Sequence, residues 1–167
     1  MSHFTKITPD LSHQPLITLD TDAFEQQLLS PLRHLLTTWF APQTQGWFRA
    51  DIIATENLGP VAGPAAIRLL WPVVDALCNL RCGEVFFNDP LDMEQRTLVT
   101  RHEALVLHMI HHMRRDDTGA ARDTVALLTD GCMDPDLIRA GLSFAHRFPL
   151  GVPAGAQERP RLRVISS

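Results

Sequence analysis

Four stretches of this chain repeat large apolar side chains at intervals of three and four residues. That spacing dictates most of what the chain can fold into. Phe24, Leu28, Leu32, Leu35 and Trp39 make the first stripe, and Ile67, Leu70, Val74 and Leu77 the second. Leu98, His102, Leu105, Val106, Met109 and Met113 make the third; Leu137, Gly141, Phe144 and Phe148 make the fourth. Residues so spaced share one face only on an α-helix, which turns about 100° per residue. Two further segments read as helices, Trp47 to Leu58, closed by Gly59-Pro60, and one carrying Ala121, Val125, Leu128 and Cys132. No stretch alternates convincingly with period two, and no repeat or linker divides the chain. The fold class predicted is all-α, a compact single-domain bundle of about six helices. With 167 residues, 45% of them hydrophobic, such a core needs neither metal nor disulfide merely to form.

Prolines and small polar residues set the boundaries. Residues 1–19 read as an extended N-terminal arm, with Phe4, Ile7, Leu16 and Ile17 available to order it. Residues 20–148 read as the helical domain, and 149–167, with Pro153, Gly155 and Pro160, as a flexible tail. Asp20, Thr21 and Asp22 offer cap oxygens to the first helix. Pro31 predicts either a kink within it or a restart capped by Ser30, and the former is preferred, in a helix ending at Ala41-Pro42. Pro72 should bend the helix over Pro64–Leu80. Residues 81–92 read as a loop, after which Asp92 is expected to cap the longest helix, Met93 to Arg115. Its wide apolar arc predicts a central position with neighbours on two sides. Asp134-Pro135 reads as a cap followed by a first-turn proline.

Charge and cysteine usage narrow the function classes. The formal charge is −4, so the chain lacks the positive field that draws proteins to nucleic acid or anionic membranes. Fourteen arginines against the single Lys6 fit the codon usage of a GC-rich bacterial genome as readily as any function. No run approaches the ~18–20 apolar residues of a membrane span, and Met1 to Pro15 lacks the apolar core of a secretory signal. A cytoplasmic location is the expectation. Three cysteines make a poor disulfide framework and are expected as reduced thiols.

Several chemistries can be set aside. Neither GxGxxG nor GxxxxGK[ST] occurs, nor do GxSxG, HExxH or CxxC. The six glutamates include no Glu-x-x-His pair of the di-iron kind. The acidic pairs Asp20/Asp22, Asp89/Asp92, Asp116/Asp117 and Asp134/Asp136 lie almost entirely at helix starts, where capping and the helix dipole account for them. The last two helices could form a helix-turn-helix. Its second helix, however, would present Asp134 and Asp136 where base edges should be read, so DNA is not the expected partner.

The candidates that remain are histidines and cysteines. His108 and His112, at i and i+4, share a helix face with the spacing at which two imidazoles can hold one transition metal; the ordinary alternative is a solvated flank. His102 falls in the middle of the apolar face, where a buried and neutral core histidine is expected, and a ligand or general base is the sharper alternative. Cys78 and Cys82, with Cys132 and a histidine, could complete a zinc site, although Cys132 lies on a core stripe. The leading reading is a non-catalytic helical protein acting through protein contacts as a homodimer, without a cofactor. Its basis is the lack of catalytic motifs and an apolar supply (Trp39, Trp47, Trp71, Phe86 and Phe87) sufficient for both core and interface. The alternative is a helical protein binding a metal, zinc above all, or a small ligand through His102, His108 and His112, with Cys78 and Cys82. An enzyme without a legible motif is third.

Overall fold

The computed structural model describes residues 13–81 and 84–151. Among these, 68% are helical. A one-turn helix α1 (Ala23–Gln27) precedes six longer ones: α2 (Leu29–Phe40), α3 (Gly46–Leu58), α4 (Ala62–Leu80), α5 (Arg101–Arg114), α6 (Thr118–Leu128) and α7 (Pro135–Arg147). Short connections make α2–α3, α3–α4 and α5–α6 antiparallel-type neighbours in space, and α7 closes the bundle by packing on both α4 and α5. The all-α bundle read from the sequence is therefore the fold, with the four apolar stripes turned inward. Leu32, Leu35, Leu70, Leu77, Met109 and Phe144 are all essentially without solvent contact.

Two strands of two residues and two single-turn 3-10 helices, Leu16–Thr18 and Pro42–Thr44, complete the described structure. Gln14–Pro15 (β1) pairs antiparallel with Leu98–Val99 (β2), and Leu16 N–H donates to the Thr97 carbonyl at 2.8 Å. The arm is thus pinned over residues 13–19. Leu16 packs against the core, but Ile17 is 85% exposed and contributes nothing to that anchorage. Phe4, Ile7, Cys82 and the tail beyond Gly151 lie outside the described residues.

Helix boundaries depart from the periodicity at two places, each for a local reason. The first helix is interrupted at Leu28, before Pro31 rather than at it. Pro31 has no N–H for the Gln27 carbonyl, so α1 ends at Gln27 and the ladder resumes with Leu32 N–H donating to Leu28. Pro72 similarly deprives the Arg68 carbonyl, yet α4 runs through it. Both residues are exposed, so the interruption faces water while Leu70, Val73, Val74 and Leu77 hold the inner face.

The second departure concerns the longest predicted helix. It starts at Arg101, not Met93, and Asp92 is not its cap. The Asp92 carboxylate instead accepts from Glu94 N–H at 2.9 Å and that of Asp89 from Leu91 N–H at 2.9 Å, two Asx turns. The true cap is Thr100, whose hydroxyl accepts from Glu103 N–H. Close approach elsewhere depends on Gly63, where an added Cβ would lie 2.5 Å from the Thr55 backbone and force α3 and α4 apart.

Candidate functional site

Helix α5 carries every histidine singled out from the sequence, and each of its ends is fastened by a buried glutamate. Both glutamates come from the same local pattern. Asp22-Ala-Phe-Glu25 and Thr100-Arg-His-Glu103 are capping boxes, in which the first side chain accepts from the N–H three residues on and the glutamate accepts from the N–H of the first.

At the N-terminal end, Glu103 accepts four further or reciprocal hydrogen bonds. Arg33 of α2 donates from Nε at 2.7 Å and from a terminal nitrogen at 3.1 Å; the N–H groups of Thr100 and Asn88 donate at 2.8 and 3.1 Å. The same guanidinium donates to the carbonyls of Gln95 and Leu98. By holding those carbonyls Arg33 fixes residues 93–97 as turns leading into β2 rather than as helix.

At the C-terminal end the chain reverses the polarity, as the helix dipole favours. Here α5 supplies His111, Arg114 and Arg115, and α1 supplies the carboxylates. Glu25, fully buried, accepts from Asp22 N–H, His111 Nδ1–H at 2.9 Å, Arg114 and Arg115. A carboxylate can only accept, so the His111 proton sits on Nδ1. Arg114 also donates to Asp22 at 2.7 Å and to the Phe148 carbonyl at 2.7 Å, and lies over the Phe24 ring at 4.6 Å. Burial by itself would raise the Glu25 and Asp22 carboxyls. Hydrogen bonds from His111, Arg115 and Asp22 N–H to Glu25, and from Glu25 N–H and Arg114 to Asp22, outweigh it and hold both below the ordinary carboxylate value.

The residues expected to bind metal are scattered differently. His102 is buried, its Nδ1 accepting from Phe86 N–H at 2.9 Å and its ring stacked on Phe86. The remaining proton therefore sits on Nε2, and burial, with Arg81 and Arg101 nearby, lowers its pKa to about 4. His108 and His112 are half-buried neighbours, ring centroids 6.2 Å apart, and His112 lies edge-on to His111 at 5.0 Å. Burial and the adjacent imidazoles lower the pKa of His108 and of His112. His102 stands at the other end of the helix from this pair. Cys78 is a buried free thiol on α4, raised to about 12 by burial and Asp75, and Cys132 is a free, exposed thiol. Among the described residues no three His, Cys, Asp or Glu side chains come together as a metal-holding group. None of these residues lines the two grooves that flank α7.

The sequence reading missed the burial of Glu25, Glu103, Arg33, His111 and Arg114; the two capping-box patterns were the available signal for the two glutamates. It also left open how the aromatics divide. Trp39 and Phe87 are half-buried against the core, whereas Trp47 and Phe48, at the start of α3, are 54% and 52% exposed. They meet edge to face at 5.8 Å, with the exposed Ile52 one turn on. No described helix is long and apolar enough to cross a membrane. Set beside known protein families, curated proteins and solved structures, the chain matches none of them.

Proposed function

We propose that this is a non-catalytic, cytoplasmic helical protein that acts by protein contact, with a second copy of itself as the partner. The observation that carries the reading is the Trp47–Phe48 pair. Large aromatics held together in water at the start of a well-packed helix are the kind of anchor that interfaces bury. The buried charges support the same direction: the Glu25 and Glu103 carboxylates are engaged by several donors each and line neither of the grooves beside α7, which suits holding helices rather than turning over a substrate. Sedimentation velocity over a micromolar concentration series is the test. The protein should run as a dimer, and Trp47→Ser with Phe48→Ser should run as a folded monomer with unchanged circular dichroism. A monomer at every concentration overturns the proposal.

The adjacency of His108 and His112 favours one second reading, a divalent transition metal, zinc foremost, held between two imidazoles on one helix face. Protein purified without an affinity tag would then carry one equivalent of metal by elemental analysis, and His108→Ala would lose it. Metal-free protein removes this reading.

A further inference from the structure

Between α4 and α7 runs a groove of about 550 Å³. Its floor is apolar, made by Leu69, Ala76, Leu80 and Ala140, and its rim carries three carboxylates, Asp75, Asp134 and Asp136, against one cation, Arg139. That cation is already engaged with Asp136 at 2.8 Å. Asp134 is occupied in capping α7, and among the described residues Asp75 accepts the Trp39 indole N–H, at 3.2 Å. The groove therefore combines an apolar strip with an excess of negative charge.

The chain itself contains a segment of the opposite character. Arg159, Arg161 and Arg163 alternate with Pro160, Leu162 and Val164. Laid out in extended form, alternate residues face opposite ways, so the three arginines share one edge and the apolar side chains the other. The geometry of reach agrees. Eight steps separate Gly151 from Arg159, enough to span up to about 26–29 Å. Running back along α7 from Arg147 to Asp136 takes only about 16 Å, at ~1.5 Å per residue.

We infer that residues 159–164 of this chain dock in the α4–α7 groove, with the arginines on its carboxylate rim and Leu162 and Val164 on its apolar floor. Exposed ion pairs of this kind are individually weak, and the occupancy rests on tethering, since a short linker supplies an effective concentration in the millimolar range. The docking is consequently salt-sensitive.

Photocrosslinking in the full chain tests this. A benzoylphenylalanine replaces Ser143, an exposed residue of the groove wall, and a control places it at Arg122, exposed on α6. Digestion after glutamate releases Arg159–Ser167 as one peptide, because Glu158 precedes it. The expected result is an adduct of that peptide with the α7 peptide, in the monomer-sized band, from position 143 and not from 122. Its yield should fall several-fold in 0.5 M salt (roughly a 4 Å screening length) and in Asp75→Asn with Asp136→Asn, substitutions at exposed sites that leave the fold's circular dichroism unchanged. No adduct, an equal adduct from position 122, or a yield indifferent to the two aspartates overturns the inference. An adduct found only in a dimer-sized band overturns it too, assigning the groove to a second copy's tail.

Discussion

Glu103 and Glu25 occupy the same position of the same capping motif, yet the two ends of α5 that they fasten are built from different chemistry. At the N-terminal end one carboxylate meets one guanidinium, Arg33, and the rest of the node is backbone: the Thr100 and Asn88 N–H groups and the carbonyls of Gln95 and Leu98. At the C-terminal end two carboxylates meet two guanidiniums and an imidazole, and Asp22 and Arg115 keep about a quarter of their side-chain surface in water. The first node organises a loop; the second docks one helix on another. The difference shows that a local capping signal fixes where a helix begins, and the partner brought from elsewhere in the chain decides how deep and how charged its end becomes.

The largest effect should come from breaking the drier node. Arg33→Met leaves the fully buried Glu103 without its cation and frees the carbonyls that hold residues 95–98. Removing one member of a buried pair costs about 3–5 kcal/mol, and urea unfolding should report a loss of that size. A loss below about 1 kcal/mol would mean that the loop and Glu103 are solvated and that the two nodes do not differ.

The next separates the two ends by pH. His102 sits beside the drier node and is the group there whose titration is displaced, from 6.5 to about 4, first by burial. The folded state resists the proton that the unfolded chain accepts. Stability is thus fully present above about pH 6.5 and declines as pH falls towards 4, by at most about 3 kcal/mol. In His102→Leu that slope between pH 6.5 and 4 should shrink by the His102 share, leaving only what the other lowered imidazoles, His34, His108 and His112, contribute. The neutral-pH cost should be about 1 kcal/mol, from the Phe86 N–H left without its acceptor. An unchanged slope would assign it elsewhere.

Glu25→Gln probes the wetter node. Asp22 still pairs with both guanidiniums, so the expected cost is about 2 kcal/mol at pH 7, less than for Arg33→Met. Because Asp22 and Glu25 are depressed in the folded state, their contribution is present above the ordinary carboxylate value of about 4. It is lost as pH falls through their lowered folded values. The wild-type acid limb should accordingly have a second, lower phase that Glu25→Gln reduces and His102→Leu leaves in place.

How far these ends were legible in the sequence follows from the range of the interactions. The stripes that became α2, α4, α5 and α7 needed only local periodicity, and Asp134-Pro135 and Gly59 mark boundaries by their own backbone preferences. The segment from Met93 to Thr100 carries enough apolar residues to continue the α5 pattern. What ends the pattern is Arg33, some sixty residues away, together with β1. Thr100-Arg-His-Glu103 did spell the start, and that capping box places the boundary at Arg101 rather than Met93. His111 and Arg114 were not recoverable in that way. Their burial depends on Glu25 arriving from another helix, and on a helical wheel they look like the solvated flank that His108 and His112 partly form. The division of aromatics between Trp39 inside and Trp47 outside is likewise a matter of which helix packs where.

The smallest effects come from the caps themselves, and they distinguish a neutral from an ionic version of one motif. Thr100 is 2% exposed and its hydroxyl both accepts from Glu103 N–H and donates to the Phe86 carbonyl at 2.8 Å. Thr100→Ser keeps both bonds and removes one buried methyl, a loss of about 1 kcal/mol or less that involves no titrating group. Asp22→Asn keeps the oxygen that caps Glu25 N–H but withdraws the charge facing Arg114 and Arg115. With the carboxylate partly in water, that charge contributes roughly 1 kcal/mol at pH 7. The two variants should therefore look alike near neutrality and part in acid. The deficit of Thr100→Ser should persist at every pH at which the protein remains folded. That of Asp22→Asn should shrink towards zero as wild-type Asp22 takes up its proton. Paired urea titrations at pH 7 and near pH 3.5 read the divergence directly. If both deficits hold constant, the Asp22 charge contributes nothing and the two capping boxes are equivalent after all.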